Sequence, residues 1–521
     1  MSLVRAIATV GGWTMGSRVL GFVRDMFIAG FLGAGQISDA FFVALQFPNI
    51  FRRLFAEGAF NAAFVPLFSG ELTENGRAAA REFAERVFGV MLVLLLGLTF
   101  LVEIFMAEVM LVVAGGFAED PEKFALAVDF ARLTFPYLLF VSLAAMLAGI
   151  LNTLERFVAA AAAPILLNVV LISVLVGVAL GWVPDPGRGL SWGVLIAGIG
   201  QFIWLALACA RAGLLPRVPR LVMGPRVRRL FVLMGPGILG AGVYQINVLI
   251  GVRLASELPE GSVSFLYFAD RVNQLPLGVV GAAVGVALLP LLARQLKAGD
   301  TVQARDSQNR AIEFAMLLTV PAAAALLVIA APVITVLFQR GAFDAADAAA
   351  TAQALGAFAL GLPAYVLIKA LAPGFFARED TATPVKIAAA ALILNVGVAL
   401  ALMPVLAHVG IALATAISSW FNAGMLAVLL YRRGLLEPDR RLVQRLIRIL
   451  AASALMAGGL WLGERLLGGW LMRSDPAGIG ALFVLVAGGI AIYGVLAQLL
   501  RATSLGEMKD MLRRPARSAE L

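Results

Sequence analysis

The chain has 521 residues, 61% hydrophobic and 14% charged, with a net charge of +9. A soluble domain is about 45–50% apolar with about 25% charge, so a soluble enzyme, a disordered chain and a fibrous repeat are excluded. A single cysteine, Cys209, and a single histidine, His408, exclude an intramolecular disulfide, a thiolate metal cluster and a histidine metal centre; no metal and no cofactor are expected.

A membrane span needs about 20 apolar residues, or roughly 35 with its connection, so this length admits about 14 spans. In chain order, apolar runs bounded by charge or Gly/Pro breaks predict spans at 8–33, 37–68, 84–114, 124–151, 157–181, 190–212, 228–256, 262–293, 311–338, 345–376, 384–406, 409–431, 444–467 and 478–500. The first carries Arg18 and Arg24 and no cleavage-site pattern, so it is a retained helix and not a signal peptide. Glycines and prolines interrupt spans 1, 2, 7 and 8 (Gly11, Gly16, Pro48, Gly235, Pro276 among them) and are read as bending points. Trp182, Trp192, Trp461 and Trp470 lie near span ends and read as interfacial anchors. Cys209 is expected in the core or facing lipid, and His408 solvated in an outer loop.

Lysine and arginine placement sets the orientation. With the N-terminus cytoplasmic, both termini and the even-to-odd connections hold 28 of the 41 basic residues, and the opposite loops hold five. Both ends are therefore expected in the cytoplasm. This asymmetry also explains the net charge without nucleic acid as a partner.

The chain repeats itself. At an offset of 224, Gly11, Gly16, Phe41, Asn49 and Pro66 match Gly235, Gly240, Phe265, Asn273 and Pro290; at 227, Pro136 and Asn168 match Pro363 and Asn395. The repeat covers an even number of spans, so its copies run parallel, related by an axis along the membrane normal. The expected architecture is all-α integral membrane, with 14 transmembrane helices: two parallel six-helix lobes plus two additional C-terminal helices. The expected boundaries are 1–222, 223–435 and 436–521. Two such lobes suggest a transporter that rocks one against the other.

Eight basic residues remain inside spans: Arg18, Arg24, Arg52, Arg53, Arg132, Arg253, Arg271 and Lys369. An arginine at a helix centre costs about 2.5–3.5 kcal/mol on insertion scales, so these need water, acids or an anionic ligand. At the repeat offset, Arg18, Arg24, Asp25, Asp39, Arg52 and Glu57 fall opposite neutral residues, and only Asp270-Arg271 answers from the second copy. Two readings stay open. In one, the arginines pair internally with Asp25, Asp39, Glu57 and Asp270. In the other, they line a hydrated cationic cavity for a phosphate-bearing ligand, which suits the planar, always-charged guanidinium. On an ideal helix Ser17 shares a face with Arg24, and Arg18 with Asp25, being seven apart. Lys369 is either the second lobe's cavity cation or a snorkelling side chain.

The run Gly16-Ser17-Arg18-Val19-Leu20-Gly21-Phe22-Val23-Arg24-Asp25 resembles the opening helix of the MurJ/MviN family. So do Ser38-Asp39-Ala40-Phe41-Phe42, the run from Phe47-Pro48-Asn49 through Arg52-Arg53 to Glu57-Gly58, and Phe64-Val65-Pro66. Tyr267-Phe268-Ala269-Asp270-Arg271 and Ala377-Arg378-Glu379-Asp380-Thr381-Ala382-Thr383-Pro384 are similar as well. The resemblance implies a lipid II flippase of the bacterial cytoplasmic membrane, within the MOP exporter superfamily. It would move undecaprenyl-diphosphate-linked disaccharide-pentapeptide from the inner to the outer leaflet. It further implies that Arg18, Arg24, Arg52 and Arg271 line the central cavity, that Asp39 matters, and that spans 13 and 14 form a groove for the polyprenyl tail. Some members hold sodium with acids in helices 7 and 11; here those positions fall near Gly251 and Ala399, leaving Asn395 as the oxygen ligand, so that site is not carried over.

The candidate substrate-binding residues are thus Ser17, Arg18, Arg24, Asp25, Asp39, Asn49, Arg52, Arg53, Glu57 and Arg271, with Lys369 and Asp270 second to them. The expected partners are lipid II and membrane lipids, and the protein is expected to act as a monomer. Other readings are a MOP-type exporter of another polyprenyl-linked saccharide or a drug, and a non-transporting channel or scaffold. A drug antiporter would need an acidic cavity. No nucleophile set or phosphate-binding loop suggests an enzyme.

Overall fold

A bilayer offers backbone groups no water, so each crossing segment must satisfy its own hydrogen bonds, and a helix does so. The computed structural model describes residues 3–53, 59–217 and 220–503, and it is helical with no strand among them. In order the helices are α1 (Leu3–Leu32), α2 (Gln36–Arg52), α3 (Ala59–Glu74), α4 (Gly76–Ile104), α5 (Met106–Ala114), α6 (Pro121–Thr134), α7 (Tyr137–Thr153) and α8 (Phe157–Ala179). There follow α9 (Pro186–Arg211), α10 (Pro225–Ala255), α11 (Ser262–Lys297), α12 (Thr301–Phe338), α13 (Ala345–Phe376), α14 (Ala382–Arg432), α15 (Arg440–Leu471) and α16 (Pro476–Leu499). Nine helical segments among the described residues are long and apolar enough to cross a membrane.

The helices depart from the expected runs in instructive places. The fourth run is divided at Pro136, which lacks an N–H to continue α6 into α7. The third is divided at Phe105. By contrast α14 joins the eleventh and twelfth runs, but not as one straight rod. Ala407 has φ 46°, and a Cβ on Gly410 would lie 2.9 Å from the Leu402 carbonyl carbon. Eight residues of straight helix would separate those two by about 12 Å, so the chain reverses at Ala407. His408 beside this turn is not solvated as expected: its Nε2 lies 2.9 Å from the Ala350 carbonyl oxygen and its ring packs 5.1 Å from Phe265. Helix α1 runs unbroken, and Gly11, Gly12 and Gly16 face open space. Cys209 is fully buried, and the four tryptophans named above are exposed near helix ends, as expected.

The chain divides into two compact units, Met1–Ser264 and Phe265–Leu521. In the first, α8 packs on α1 and α9, α7 on α9, α2 on α6, and α3 on α4, α7 and α10. Its connections sort into two ends. Gln36 donates to Asp120 (2.8 Å) and the Gly116 N–H to Ser256 Oγ (3.1 Å), joining three loops expected on the outer side. Arg220 reaches Glu82 (3.0 Å) and Glu85 (3.3 Å), and Arg226 pairs with Glu71, joining loops expected on the inner side.

In the second unit α13 packs between α12 and α14, while α15 lies on α12 and α16 on α15. The Asp380 carboxylate accepts the Thr383 hydroxyl (2.7 Å), the Thr383 N–H (2.9 Å) and Arg433 Nη1 (2.7 Å) at the start of α14. These bonds, those from Thr383 first, hold its pKa at about 2, so the local stability they provide is lost only as pH falls through that value. A second carboxylate, Glu313 of α12, is buried against Arg310, Arg445 and Arg441, the last at 3.5 Å, and so fixes α15 to α12. The Tyr493 hydroxyl donates to the Leu317 carbonyl (2.7 Å) and ties α16 to the same helix. We predict that Glu313→Ala, which removes a carboxylate shared by three guanidiniums, lowers stability by about 2 kcal/mol, after allowance for their partial exposure. A thermal melt of the purified protein matching the wild type would refute that role.

Candidate functional site

The cationic positions of the first unit are not equivalent. Arg24 is 6% exposed and its neighbour Asp25 is 1% exposed. Arg24 donates to Asp25 Oδ1 from Nε (3.0 Å) and Nη2 (2.6 Å), and to Asn168 Oδ1 from Nη1 (3.0 Å). The Asn168 amide in turn donates to the Ser17 carbonyl (2.9 Å), joining α8 to α1. All three guanidinium nitrogens are thus engaged. Asp25 pairs with Arg24 and not with Arg18, the residue that helical spacing puts on its face; Arg18 is exposed.

On α2, Arg52 Nε donates to Asn49 Oδ1 (2.9 Å), and Asn49 Nδ2 donates to the Leu45 carbonyl (2.7 Å). Tyr137 at the start of α7 and Gln201 of α9 are both buried, and Arg52 and Arg24 are both close enough to bear electrostatically on the Tyr137 hydroxyl. The structure therefore brings Ser17, Arg24, Asp25, Asn49 and Arg52 into one neighbourhood. Arg53 is exposed. Glu57 lies outside the described residues.

Asp39 belongs to a different place. Its carboxylate is fully buried at the start of α2, about 20 Å along the helix from Arg52 at 1.5 Å per residue. Oδ2 accepts Lys123 Nζ (2.8 Å) and the Gly261 N–H (2.9 Å); Oδ1 accepts the Ser264 N–H (2.9 Å) and hydroxyl (2.7 Å). This carboxylate ties α2, α6 and the start of α11 together.

In the second unit, Arg271 Nη2 donates to the Tyr267 hydroxyl (2.8 Å), and its guanidinium sits 4.7 Å from that ring's centre. Asp270 accepts from Gln274 one turn later. Lys369 is exposed.

Several partners are absent from the sequence-derived set: Lys123, Asn168, Tyr137, Gln201 and Ser264. Lys123, one of the five basic residues that the orientation places in outer connections, is 6% exposed. Tyr137 and Gln201 carried a usable signal. At the 227 offset they fall opposite Ala364 and Val428, the same polar-to-apolar asymmetry that marks the arginines. No group of His, Cys, Asp and Glu able to hold a metal occurs among the described residues.

Comparison with known proteins adds an independent line. A sequence model of the family described as lipid II flippase MurJ matches residues 28–478. A probable lipid II flippase MurJ of Rhizobium tropici is 47% identical, over 99% of this chain and 97% of that one. Its counterpart in Rhizobium meliloti (strain 1021) is 46% identical, over 100% and 98%. The lipid II flippase MurJ of Burkholderia cenocepacia is 34% identical over 88% and 89%. Among solved structures, lipid II flippase MurJ in an inward closed conformation superposes with a TM-score of 0.78, at 24% identity over 97% of this chain and 99% of that one. An inward-facing MATE family multidrug resistance transporter of the MOP superfamily follows the fold with a TM-score of 0.63, at 16% identity over 82% and 98%.

The Asp39 tie yields a test by charge balance. Asp39→Asn leaves the Lys123 ammonium buried with no carboxylate, whereas Asp39→Asn with Lys123→Met leaves no buried charge. We predict that the single variant loses about 3 kcal/mol and that the double variant recovers part of the loss. Equal or additive losses in a thermal double-mutant cycle would contradict the pairing.

Proposed function

This chain belongs to the MurJ family of lipid II flippases, and we propose that it carries the lipid II headgroup from the inner to the outer leaflet of the bacterial cytoplasmic membrane by alternating access. The observation that carries this reading is Arg24, a guanidinium buried in apolar helices and held at every nitrogen by polar partners. A chain that only had to cross the membrane would have no use for this cation.

In this reading the protein is a monomeric, 14-helix transporter without enzymatic activity or cofactor. Its lobes are 1–222 and 223–435, helices 13 and 14 with the tail occupy 436–521, and both termini are cytoplasmic. Arg18, Arg24, Arg52 and Arg271 converge on one water-filled cavity, with Arg53, Glu57, Asp270 and Lys369 at its margins. Asp25 and Asn168 hold Arg24 between cycles, and a diphosphate replaces the carboxylate with a bidentate partner of higher charge. The polyprenyl tail stays in lipid or along helices 13 and 14, because exposing it to a polar passage costs about 0.8 kcal/mol per CH₂. An anionic headgroup moving outward follows the membrane field, about 2.3 kcal/mol per charge per 100 mV, and the emptied cationic cavity is drawn back inward. No bound sodium is required.

The test is transport of lipid II in proteoliposomes with valinomycin-set potentials. Outward flipping should depend on the potential and not on sodium. Arg24→Ala should lose about 2 kcal/mol of substrate stabilisation, roughly 30-fold in affinity, and Arg24→Lys should recover little of it because lysine lacks the fork. Lipid II that stays on the inner side in the wild-type assay would sink the assignment. Activity that survives collapse of the potential and disappears without sodium would sink the energetics.

A further inference from the structure

The segment between α9 and α10 is pinned to α4. The Arg220 N–H donates to the Glu85 carbonyl (3.2 Å), the Arg217 N–H to the Glu85 carboxylate (3.2 Å), and the Arg220 side chain reaches Glu82 (3.0 Å). A Cβ on Gly89 would stand 2.6 Å from the Arg220 carbonyl oxygen, so the segment lies flush on that helix. Arg226, at the start of α10, pairs with Glu71 of α3. Helix α10 packs on α3 and only grazes α4. Between α4, the segment and α10 there is a pocket of about 490 Å³, lined by Leu94, Met223, Arg228, Phe231 and Val232. That volume falls in the range of about 300–1,000 Å³ typical of small-molecule sites.

The pocket sits where both helices change character. On α4 the last charged residue before the apolar run is Arg86, and Leu94 lies eight residues, about 12 Å, beyond it. On α10 the last is Arg229, and Val232 follows within one turn. The arginines of this connection assign this end to the cytoplasmic side. Exposed apolar side chains on a membrane helix ordinarily meet bulk lipid, and an arginine at the boundary ordinarily snorkels to water. Two observations go beyond that. One turn past Leu94 lies Gly97, and one turn past Val232 lies Gly235; a Cβ on either would meet no atom within 4 Å. Membrane glycines usually let helices touch, but these two serve no contact and instead extend the pocket as a slot. The exposed Arg228 guanidinium at the pocket wall has no ion pair among the described residues, whereas Arg220 and Arg226 beside it are paired.

We propose that this pocket binds an anionic phospholipid of the inner leaflet, with its phosphodiester on Arg228 and one acyl chain in the slot along Gly97 and Gly235. The occupant has an apolar length, because the walls beyond the arginine are apolar. It has an anion at one end, because the cation on the wall has no acid to meet. A phosphodiester presents two oxygens to the guanidinium fork. Basic pockets between membrane helices on the cytoplasmic side take lipid headgroups in this manner. The lipid fills the space that the protein's own side chains leave, and so braces α10 against α4. This goes beyond the lipid II reading and uses none of its candidate residues.

The experiment is native mass spectrometry of the purified full-length protein in detergent, titrated with phosphatidylglycerol, phosphatidylcholine or undecaprenyl monophosphate. It compares the wild type with Arg228→Gln, with Val232→Trp, which fills the pocket, and with Arg432→Gln, which removes an exposed arginine at the end of α14. Arg228→Gln should bind the first phosphatidylglycerol about fivefold more weakly and lose the preference over phosphatidylcholine, the effect of one charge-assisted pair at an exposed position. Val232→Trp should weaken both phospholipids, and Arg432→Gln neither. Phosphatidylglycerol should raise the melting temperature of the wild type and not that of Arg228→Gln. All three substitutions are at exposed positions, and melts without lipid check that each variant folds. Equal losses from Arg228→Gln and Arg432→Gln, or unchanged binding to Val232→Trp, would overturn the site. Undecaprenyl monophosphate that displaces phosphatidylglycerol from the wild type, and does so only with Arg228 present, would give the pocket to a polyprenyl chain and overturn the phospholipid assignment. No transport is measured, so each of these outcomes leaves the lipid II reading as it stands.

Discussion

The buried charges of the first unit answer to one constraint: an ionised group surrounded by apolar helices must have its partner built in. The first unit meets it twice by different means. Arg24 takes its counter-charge from the next residue in the chain, so the pair forms wherever α1 goes. Asp39 takes Lys123 from α6 and three donors from the segment Gly261–Ser264, so its neutralisation exists only when those elements meet. A local pair travels with its helix. A distant pair reports on assembly. The same charge balance therefore gives one site suited to exchanging ligands and another suited to holding an end of the unit closed.

The difference is consistent with what each carboxylate could yield. Asp25 Oδ1 accepts two bonds from Arg24 and Asn168 Oδ1 accepts a third, so in the proposed reading an incoming phosphate exchanges with these acceptors. Both oxygens of Asp39 are used, each by two donors. Removing Asp39 from that setting would leave four donors unsatisfied at once, a far larger loss than the exchange at Arg24. The Asp39 tie and the candidate site around Arg52 are thus separated along α2 by most of its length.

How much of this could be read from sequence follows from the range of each interaction. Helices were legible because apolar runs and charge breaks are local; the reversal at Ala407 fell where a break had been placed between two runs, although the helical pattern continues through it. The unusual cations were legible because the repeat offers an internal control. Their partners were not. Helical spacing favoured Arg18 with Asp25, but a guanidinium beside its own neighbour can fold back on it, and rotamers are invisible in a one-dimensional pattern. Lys123 looked like an ordinary loop lysine because nothing near it in sequence shows that α2 brings a carboxylate to it. His408 failed for the same reason: the Ala350 carbonyl that receives it is 58 residues away.

The internal repeat bears on why most of the candidate site residues lie in one copy. Two parallel copies of a helix bundle give a symmetric frame, and symmetry alone would place like charges opposite one another. In the proposed reading Arg18, Arg24 and Arg52 lie in the first copy, and Asp25 is a resident counter-charge that neutralises Arg24. An anion then binds by exchange and not by rescuing an unstable cluster. A transporter needs that moderation. A cavity that bound diphosphate only because its empty form was intolerable would hold the substrate too tightly to release it, whereas one whose empty form is already satisfied can let go on the far side of the membrane.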